Sequence, residues 1–253
     1  MNYSDTKKIY FASDFHLGVP DFESSLAREK IIVSWLDSIK HDASELFLVG
    51  DLFDFWFEYK HVIPKGFSRL IGKLCELQDA GIDVHLFHGN HDLWQFGYFE
   101  KEIGCKVHPK PIQITRNKKT FYIAHGDGLG PNQQRFKFVL SIYRNRVMQR
   151  LFAMINPSFG IGLANWLSRN SKLKTFEGNK TYLGDEKEHL VIHATQFNEL
   201  TPTDFFVFGH RHLPFYRTIK NTHIINLGDW FSYNSYAVFD GSALELKYYS
   251  NNV

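Results

Sequence analysis

Five short blocks of this chain carry side chains that bind divalent metals. They are Asp14-Phe15-His16, Gly50-Asp51-Leu52-Phe53-Asp54, Gly89-Asn90-His91-Asp92, His125-Gly126-Asp127 and Gly209-His210-Arg211-His212. Imidazole and oxygen donors, with no thiolate among them, suit a pair of borderline-hard ions. Such a pair is suited to hydrolysis at phosphorus. One ion brings the pKa of water near neutrality, and a second about 3.5–4 Å away clamps the attacking and departing oxygens. Two ions that close must share a ligand, and a carboxylate bridges where an imidazole cannot. Asp51 is the bridging candidate, because it follows the central strand of the first three. Asp14 and His16 can reach one ion from one loop. Asn90 offers a neutral amide oxygen. His125, His210 and His212 add imidazole, and the last two flank Arg211 so that both can point to one side.

Each block alone has an ordinary explanation. Asp-x-His recurs widely, and Gly-Asp-x-x-Asp can be a turn. Gly-Asn-His-Asp can be a tight turn with asparagine in the left-handed region, and Gly-His-x-His a zinc-like pair. None of these accounts for all five in one order, each at the end of a strand-like run. His41, His61, His85, His88, His108, His189, His193 and His223 fall outside the blocks and read as surface or core residues.

The elements that position the blocks follow from the apolar pattern. Ile9–Ser13, Glu45–Val49, Val84–His88, Thr120–Ala124 and Phe205–Phe208 are short apolar runs that stop at Gly, Asp or His, as buried strands do. Between the first three lie helix-like stretches, Ser24–Ile39 with a serine cap and Phe67–Ala80 before Gly81. Strands alternating with helices predict a mainly parallel sheet. Ligands of open α/β sheets bind beyond the carboxyl ends of the strands, which is where every block sits. Thr222–Asn226, Tyr236–Asp240 and Ala243–Tyr249 predict antiparallel strands with a hairpin turn at Asp240-Gly241-Ser242.

One segment breaks the composition. From Gly128 to Thr175 there are eight cations (Arg135, Lys137, Arg144, Arg146, Arg150, Arg169, Lys172 and Lys174) and no Asp or Glu, in a chain whose net charge is only +2. Helical apolar residues such as Phe136, Leu140, Val147, Leu151 and Ile155 run among them. A helical hairpin with a solvated basic face would look like this. So would a lid or membrane-surface element that meets an anionic lipid.

The order Asp-x-His, Gly-Asp-x-x-Asp, Gly-Asn-His-Asp, His, Gly-His-x-His resembles the calcineurin-like metallophosphoesterase superfamily, over roughly Ile9 to Trp230. The resemblance implies an α/β fold, a two-sheet sandwich flanked by helices (αββα), with a dinuclear site commonly holding manganese. On it, Asp14, His16, Asp51 and His212 hold one ion, and Asp51, Asn90, His125 and His210 the other. His91 steadies the transition state or protonates the leaving oxygen, and Asp92 orients His91. Within the superfamily the chain is most similar to the UDP-2,3-diacylglucosamine pyrophosphatases of lipid A biosynthesis. The residues behind this are Gly50–Trp56, His125–Leu129, Asn170-Ser171-Lys172 at the end of the basic insertion, and Leu227-Gly228-Asp229-Trp230. It implies hydrolysis of the pyrophosphate bond of UDP-2,3-diacylglucosamine to UMP and 2,3-diacylglucosamine 1-phosphate. It also implies a single domain over 1–253 with a helical cap at about 129–175, whose Arg135, Asn170, Ser171 and Lys172 meet the substrate. Proteobacterial members carry Arg where this chain has His91. Arg and His both stabilise phosphoryl charge, but only His readily delivers a proton.

The remaining composition bounds the setting. An apolar share of 43% and 24 Phe predict an aromatic core, and the two cysteines, Cys75 and Cys105, point away from a disulfide framework toward a reduced cytosolic compartment. With no signal-peptide core and no apolar stretch of spanning length, the chain is expected in the cytoplasm, peripheral on the inner face of the membrane. A soluble phosphodiesterase or phosphatase acting on nucleotides or phosphoproteins is the rival within the enzyme class. A non-catalytic scaffold on the same fold would be expected to lose a ligand or His91. Nucleic acid is not an expected partner, because the cations of the insertion alternate with aliphatics more than with exposed aromatics.

Overall fold

A computed structural model of the chain describes residues 7–164, 166 and 181–250. Two mixed sheets face each other. The first contains β1 (Lys8–Ala12), β2 (Ala43–Leu48), β3 (Asp83–Phe87), β4 (Lys106–His108), β10 (Ser235–Phe239) and β11 (Leu244–Tyr248), in the order β11-β10-β1-β2-β3-β4. The second contains β5 (Ile112–Arg116), β6 (Lys119–Ala124), β7 (Phe205–Phe208), β8 (Phe215–Ile219) and β9 (Thr222–Asn226), in the order β5-β6-β7-β9-β8.

Side-chain alternation builds three layers of packing. Ile9, Phe11, Phe47, Val49 and Phe87 meet Phe121, Ile123, Phe205, Val207 and Ile225 between the sheets. The intervening residues of the first sheet, among them Tyr10, Ala12, Leu46, Leu48, Val84 and Leu86, pack on Ile32, Trp35, Leu36, Leu70 and Leu74 of the helices α1 (Phe22–Ile39) and α2 (Ser68–Asp79). Phe206 and Phe208 point the other way, onto Leu190, Val191 and Ala194 of α5 (His189–Leu200). Two pleated faces per strand therefore give helix, sheet, sheet, helix.

Between β6 and α5 the chain forms α3 (Gln134–Tyr143), α4 (Arg146–Ala153) and a helical stretch over 157–164. The expected substrate residues Asn170, Ser171 and Lys172 lie outside the described residues. No helix among the described residues is long and apolar enough to cross a membrane.

Two expectations need correction. The first helix is capped not by serine but by Asp21, whose carboxylate accepts from the Ser24 backbone N–H and hydroxyl at 2.8 Å each. An aspartate satisfies the free N–H groups and also meets the positive end of the helix dipole. The tail is not wholly antiparallel, since β9 runs parallel to β7 and antiparallel only to β8. Edge strand β8 escaped the sequence reading because Tyr216, Arg217 and Thr218 in its middle are exposed, leaving no apolar run.

Candidate metal centre

β1, β2 and β3 are mutually parallel, as are β6, β7 and β9. All six therefore end on the same side of their sheets, and the five blocks follow the first five of these strands. Backbone hydrogen bonds stitch the blocks together. Asp14 N donates to Gly50 O at 3.1 Å, His16 N to Asp51 O at 2.9 Å, and Gly209 N to His125 O at 2.9 Å. His210 N donates to Asp14 Oδ2 at 3.0 Å and His91 N to Asp51 Oδ1 at 2.9 Å.

Two glycines allow this closeness. A Cβ on Gly89 would overlap Asp51 Oδ1 and the Asp51 backbone N, and one on Gly209 would lie 2.6 Å from Asp14 Oδ2. Asn90 is not the left-handed residue that its block suggested. The positive φ falls instead on Asp14, His16, Asp51, His210 and His212.

Ligand atoms of Asp14, His16, Asp51 and His212 all lie within 4.8 Å of one another. His16 Nε2 lies 3.6 Å from Asp14 Oδ1 and 3.6 Å from Asp51 Oδ2, and His212 Nε2 lies 3.4 Å from Asp14 Oδ1. The other half shares Asp51. His125 Nε2 is 3.3 Å from Asp51 Oδ2 and 3.3 Å from Asn90 Oδ1, and the His125 and His210 rings are 5.2 Å apart. The His125 tautomer suits a ligand, because Nδ1 sits 2.8 Å from the Val49 carbonyl, which leaves Nε2 for the centre.

This donor set fits a cation. Asp14 Oδ1 is buried without a hydrogen-bond donor among the described residues, and His16 Nε2 and His212 Nε2 face each other at 3.3 Å. Burial alone would raise the Asp14 carboxyl, but the His212 charge and the His16 contact hold it below the ordinary range. Burial likewise opposes ionisation of Asp51, while His125 and His91 keep it well below that range. Burial would lower His125, yet Asp51 and Asp14 raise it well above the usual imidazole value. His210 is pushed down to about 3 by burial and by the His125 charge. Two buried carboxylates this close require positive charge, whether a proton on His125 or divalent ions.

The expected partnership of Asp92 with His91 needs correction. The Asp92 carboxylate is wholly buried and accepts backbone N–H groups, from Leu52 at 2.8 Å and Gly89 at 2.9 Å, and so ties the second block to the third. Burial and the Asp51 charge push it up to about 7. His91 Nδ1 instead lies 3.0 Å from the Asp54 carbonyl oxygen and 3.6 Å from Asp54 Oδ1. Asp54 Oδ1 is also 3.6 Å from His16 Nδ1, and Asp229 Oδ2 is 3.5 Å from His212 Nδ1. Both are carboxylate–histidine contacts of the kind that orients a ligand. Sequence reasoning assigned neither role. Its signals were the second Asp of the second block and Asp229 in the loop after β9, the sixth loop on this side. Arg28 was also missed. Its buried guanidinium donates to Phe15 O at 2.8 Å and His16 O at 2.7 Å, holding the first block open.

The inserted helices stand over the blocks. Phe136 lies 5.5 Å from the His210 ring, Arg144 Nη2 pairs with Asp127 Oδ2 at 3.0 Å, and Trp94 Nε1 donates to Tyr143 O at 2.7 Å. Phe152 packs against Phe57 and Trp94, each at 4.8 Å between ring centres. Arg135, expected at the substrate, is exposed on α3.

Residues 7–214 match the family model of calcineurin-like phosphoesterases. A protein of Porphyromonas gingivalis named UDP-2,3-diacylglucosamine hydrolase is 38% identical over 95% of this chain and 97% of its own length. A protein of the same name from Yersinia enterocolitica is 24% identical over 87% of this chain and 90% of its own. Among solved structures, the E. coli phosphoesterase Yfce aligns over 94% of this chain and 90% of its own, at 16% identity and a TM-score of 0.47.

Proposed function

The chain belongs to the calcineurin-like phosphoesterase family, and on that premise we propose that it hydrolyses the pyrophosphate bond of UDP-2,3-diacylglucosamine. The products are UMP and 2,3-diacylglucosamine 1-phosphate. The observation that carries the lipid substrate is the contrast above the centre. A polar, carboxylate- and imidazole-lined floor lies under helices whose Phe138, Ile142, Val147, Leu151 and Met154 are exposed. The relatives that bear the name of this activity support the same reading.

In this proposal Asp14, His16, Asp51 and His212 would hold one divalent ion, and Asp51, Asn90, His125 and His210 the other, with manganese the expected metal. Two such ions would supply a water acidified to near neutrality and a clamp on the phosphoryl oxygens. Water adds at the uridylyl phosphorus, and the bond from that phosphorus to the bridging oxygen breaks. His91, steadied through Nδ1 by Asp54, stabilises charge on the departing oxygen or returns a proton to it. Asp54 and Asp229 fix the His16 and His212 rings. The exposed apolar face of α3 and α4 takes the acyl chains at the inner membrane surface, where the protein works as a peripheral enzyme. Arg135, Asn170, Ser171 and Lys172 are the proposed headgroup contacts.

The test is incubation of the purified, manganese-loaded protein with UDP-2,3-diacylglucosamine and detection of UMP. Release of UMP supports the reading. No release, with hydrolysis of bis(p-nitrophenyl) phosphate intact, would overturn the substrate and leave the phosphoesterase.

A further inference from the structure

A cavity of about 530 Å³ opens beside the metal centre and shares His125 and Asp127 with its fourth block. Its walls come from the end of β3, the segment after β4, the loop 124–129 and one side of α3. α3 and the Arg144 that caps its C-terminus contribute Lys137, Leu140, Ser141 and Arg144. Their spacing of three and four places them on one helical face. Leu140 is the buried residue of that helix, and Arg144 is anchored to Asp127 at 3.0 Å. Phe138, Val139 and Ile142, at other positions around the same helix, are exposed and apolar. α3 therefore separates two environments: a mixed polar cavity on one side and bare apolar surface on another.

A nucleotide-linked lipid has the same division. Cleavage at the uridylyl phosphorus requires that phosphorus at the metals, with the nucleoside leading away on one side and the acylated sugar on the other. We propose that the cavity binds the nucleoside half of the substrate and that α3 is the partition that sorts the two halves. This rests on the reading of the substrate as a UDP-linked lipid. The walls suit the ligand. Pro109, Pro111 and Leu140 offer rigid apolar surface to a base, and the exposed cations Lys110 and Lys137 line the same cavity, where an anionic nucleotide must enter. A cavity of this size has room for one nucleoside monophosphate.

The experiment uses the manganese-loaded full chain and two variants, Ser141→Trp, which fills the cavity, and Lys137→Glu, which reverses a charge that lines it. UMP binding is measured by calorimetry, with ribose 5-phosphate as the probe lacking a base. The expected result is that UMP binds the wild type at least tenfold more tightly than ribose 5-phosphate does. Each variant should weaken UMP at least tenfold. It should also lower by at least tenfold the ratio of kcat/KM for UDP-2,3-diacylglucosamine to kcat/KM for bis(p-nitrophenyl) phosphate. Because the bulky variant can disturb the docking of α3, Lys137→Glu must act in the same direction for the proposal to stand. Equal binding of UMP and ribose 5-phosphate, or unchanged UMP affinity in both variants, overturns the subsite. Failure of the substrate reading is distinguishable: the wild type would then release no UMP from the lipid, whatever it bound in the cavity.

Discussion

The metal blocks and the inserted helices α3 and α4 stand a few ångströms apart and are built on opposite plans. In the blocks, Asp14, His16, Asp51, His210 and His212 all hold a positive φ, between 43° and 66°. Left-handed backbone costs a non-glycine residue about 1–3 kcal/mol, and the cross-block hydrogen bonds sustain it. Little of this region is left for a substrate to organise. In α4 no residue is buried, and Val147 and Leu151 are 60% and 53% exposed. That apolar surface stays in water until something covers it. The centre has its geometry before any substrate arrives, whereas the helices hold surface whose burial requires one. On the proposed function, reaction type resides in the first region and substrate choice in the second.

The largest effect should come from the shared ligand. Asp51→Ala removes the carboxylate that contacts both halves of the centre. It is expected to lower kcat/KM by at least about 10³-fold, or about 4 kcal/mol, on lipid and small diester alike. Bound metal should fall from two equivalents to one or fewer by elemental analysis. If lipid turnover alone fell, the division between the regions would be wrong.

Glycine substitutions compare the two plans directly. Gly89→Ala places a methyl against Asp51 Oδ1 and its backbone N. Displacement of about 1 Å at such a centre costs about 10²-fold in rate, and that loss is expected with any substrate. Gly162 lies in the helical stretch after α4, and a Cβ added there would meet no atom of the described residues within 4 Å. Gly162→Ala is expected to leave diester turnover within twofold and to raise stability by about 0.5–1 kcal/mol, since alanine has less freedom to lose in a helix. Thermal unfolding and turnover of both variants check the pair. A similar loss from each would erase the contrast.

The same contrast explains what could be read from the residues alone. The blocks were legible because buried parallel strands are apolar runs and metal chemistry uses few residue types. The sandwich was legible only through the resemblance that the order of the blocks carries, and Phe11, Phe47, Phe121 and Phe205 fill the core between its two sheets. The residues that hold the ligands were harder. The family resemblance made Asp92 the partner of His91, yet the turn sends its carboxylate to the amides of Leu52 and Gly89, and the Asp54 carbonyl reaches His91 across the fold. Asp229 contacts His212 only because β9 runs parallel to β7 and ends on the same side. Which strand neighbours which depends on long-range pairing that no local pattern encodes. Strands β4, β5 and β8 are short or half exposed and leave no apolar run to recognise.

His91 is a partly exposed imidazole of the third block, its ring centre 5.0 Å from that of His16, and its substitution sharpens the comparison. His91→Gln is expected to lower kcat by about 10², the range for one positioned proton-transfer group, with metal content unchanged. His91→Arg separates its two roles. An arginine supplies charge but no transferable proton, so recovery to within about threefold of wild type assigns His91 to charge stabilisation. A loss equal to that of the glutamine variant assigns it to proton transfer. Each outcome is read on the lipid, whose departing group is a sugar phosphate.

The smallest effect should come from the helices, and it should be confined to one substrate. Leu151 is half exposed on α4, so replacing it removes little packing, and Leu151→Asp should change unfolding stability by no more than about 0.5 kcal/mol. An acyl chain covering a leucine gains about 1.5–3 kcal/mol from that contact. An aspartate there forfeits the gain and adds a charge that must be stripped of water. kcat/KM for the lipid should fall about tenfold or more, as a rise in KM, with hydrolysis of bis(p-nitrophenyl) phosphate unaltered. A parallel fall on both substrates would mean that α4 supports the centre rather than the lipid. The two regions would then be one machine, and the substrate would have to be sought elsewhere on the surface.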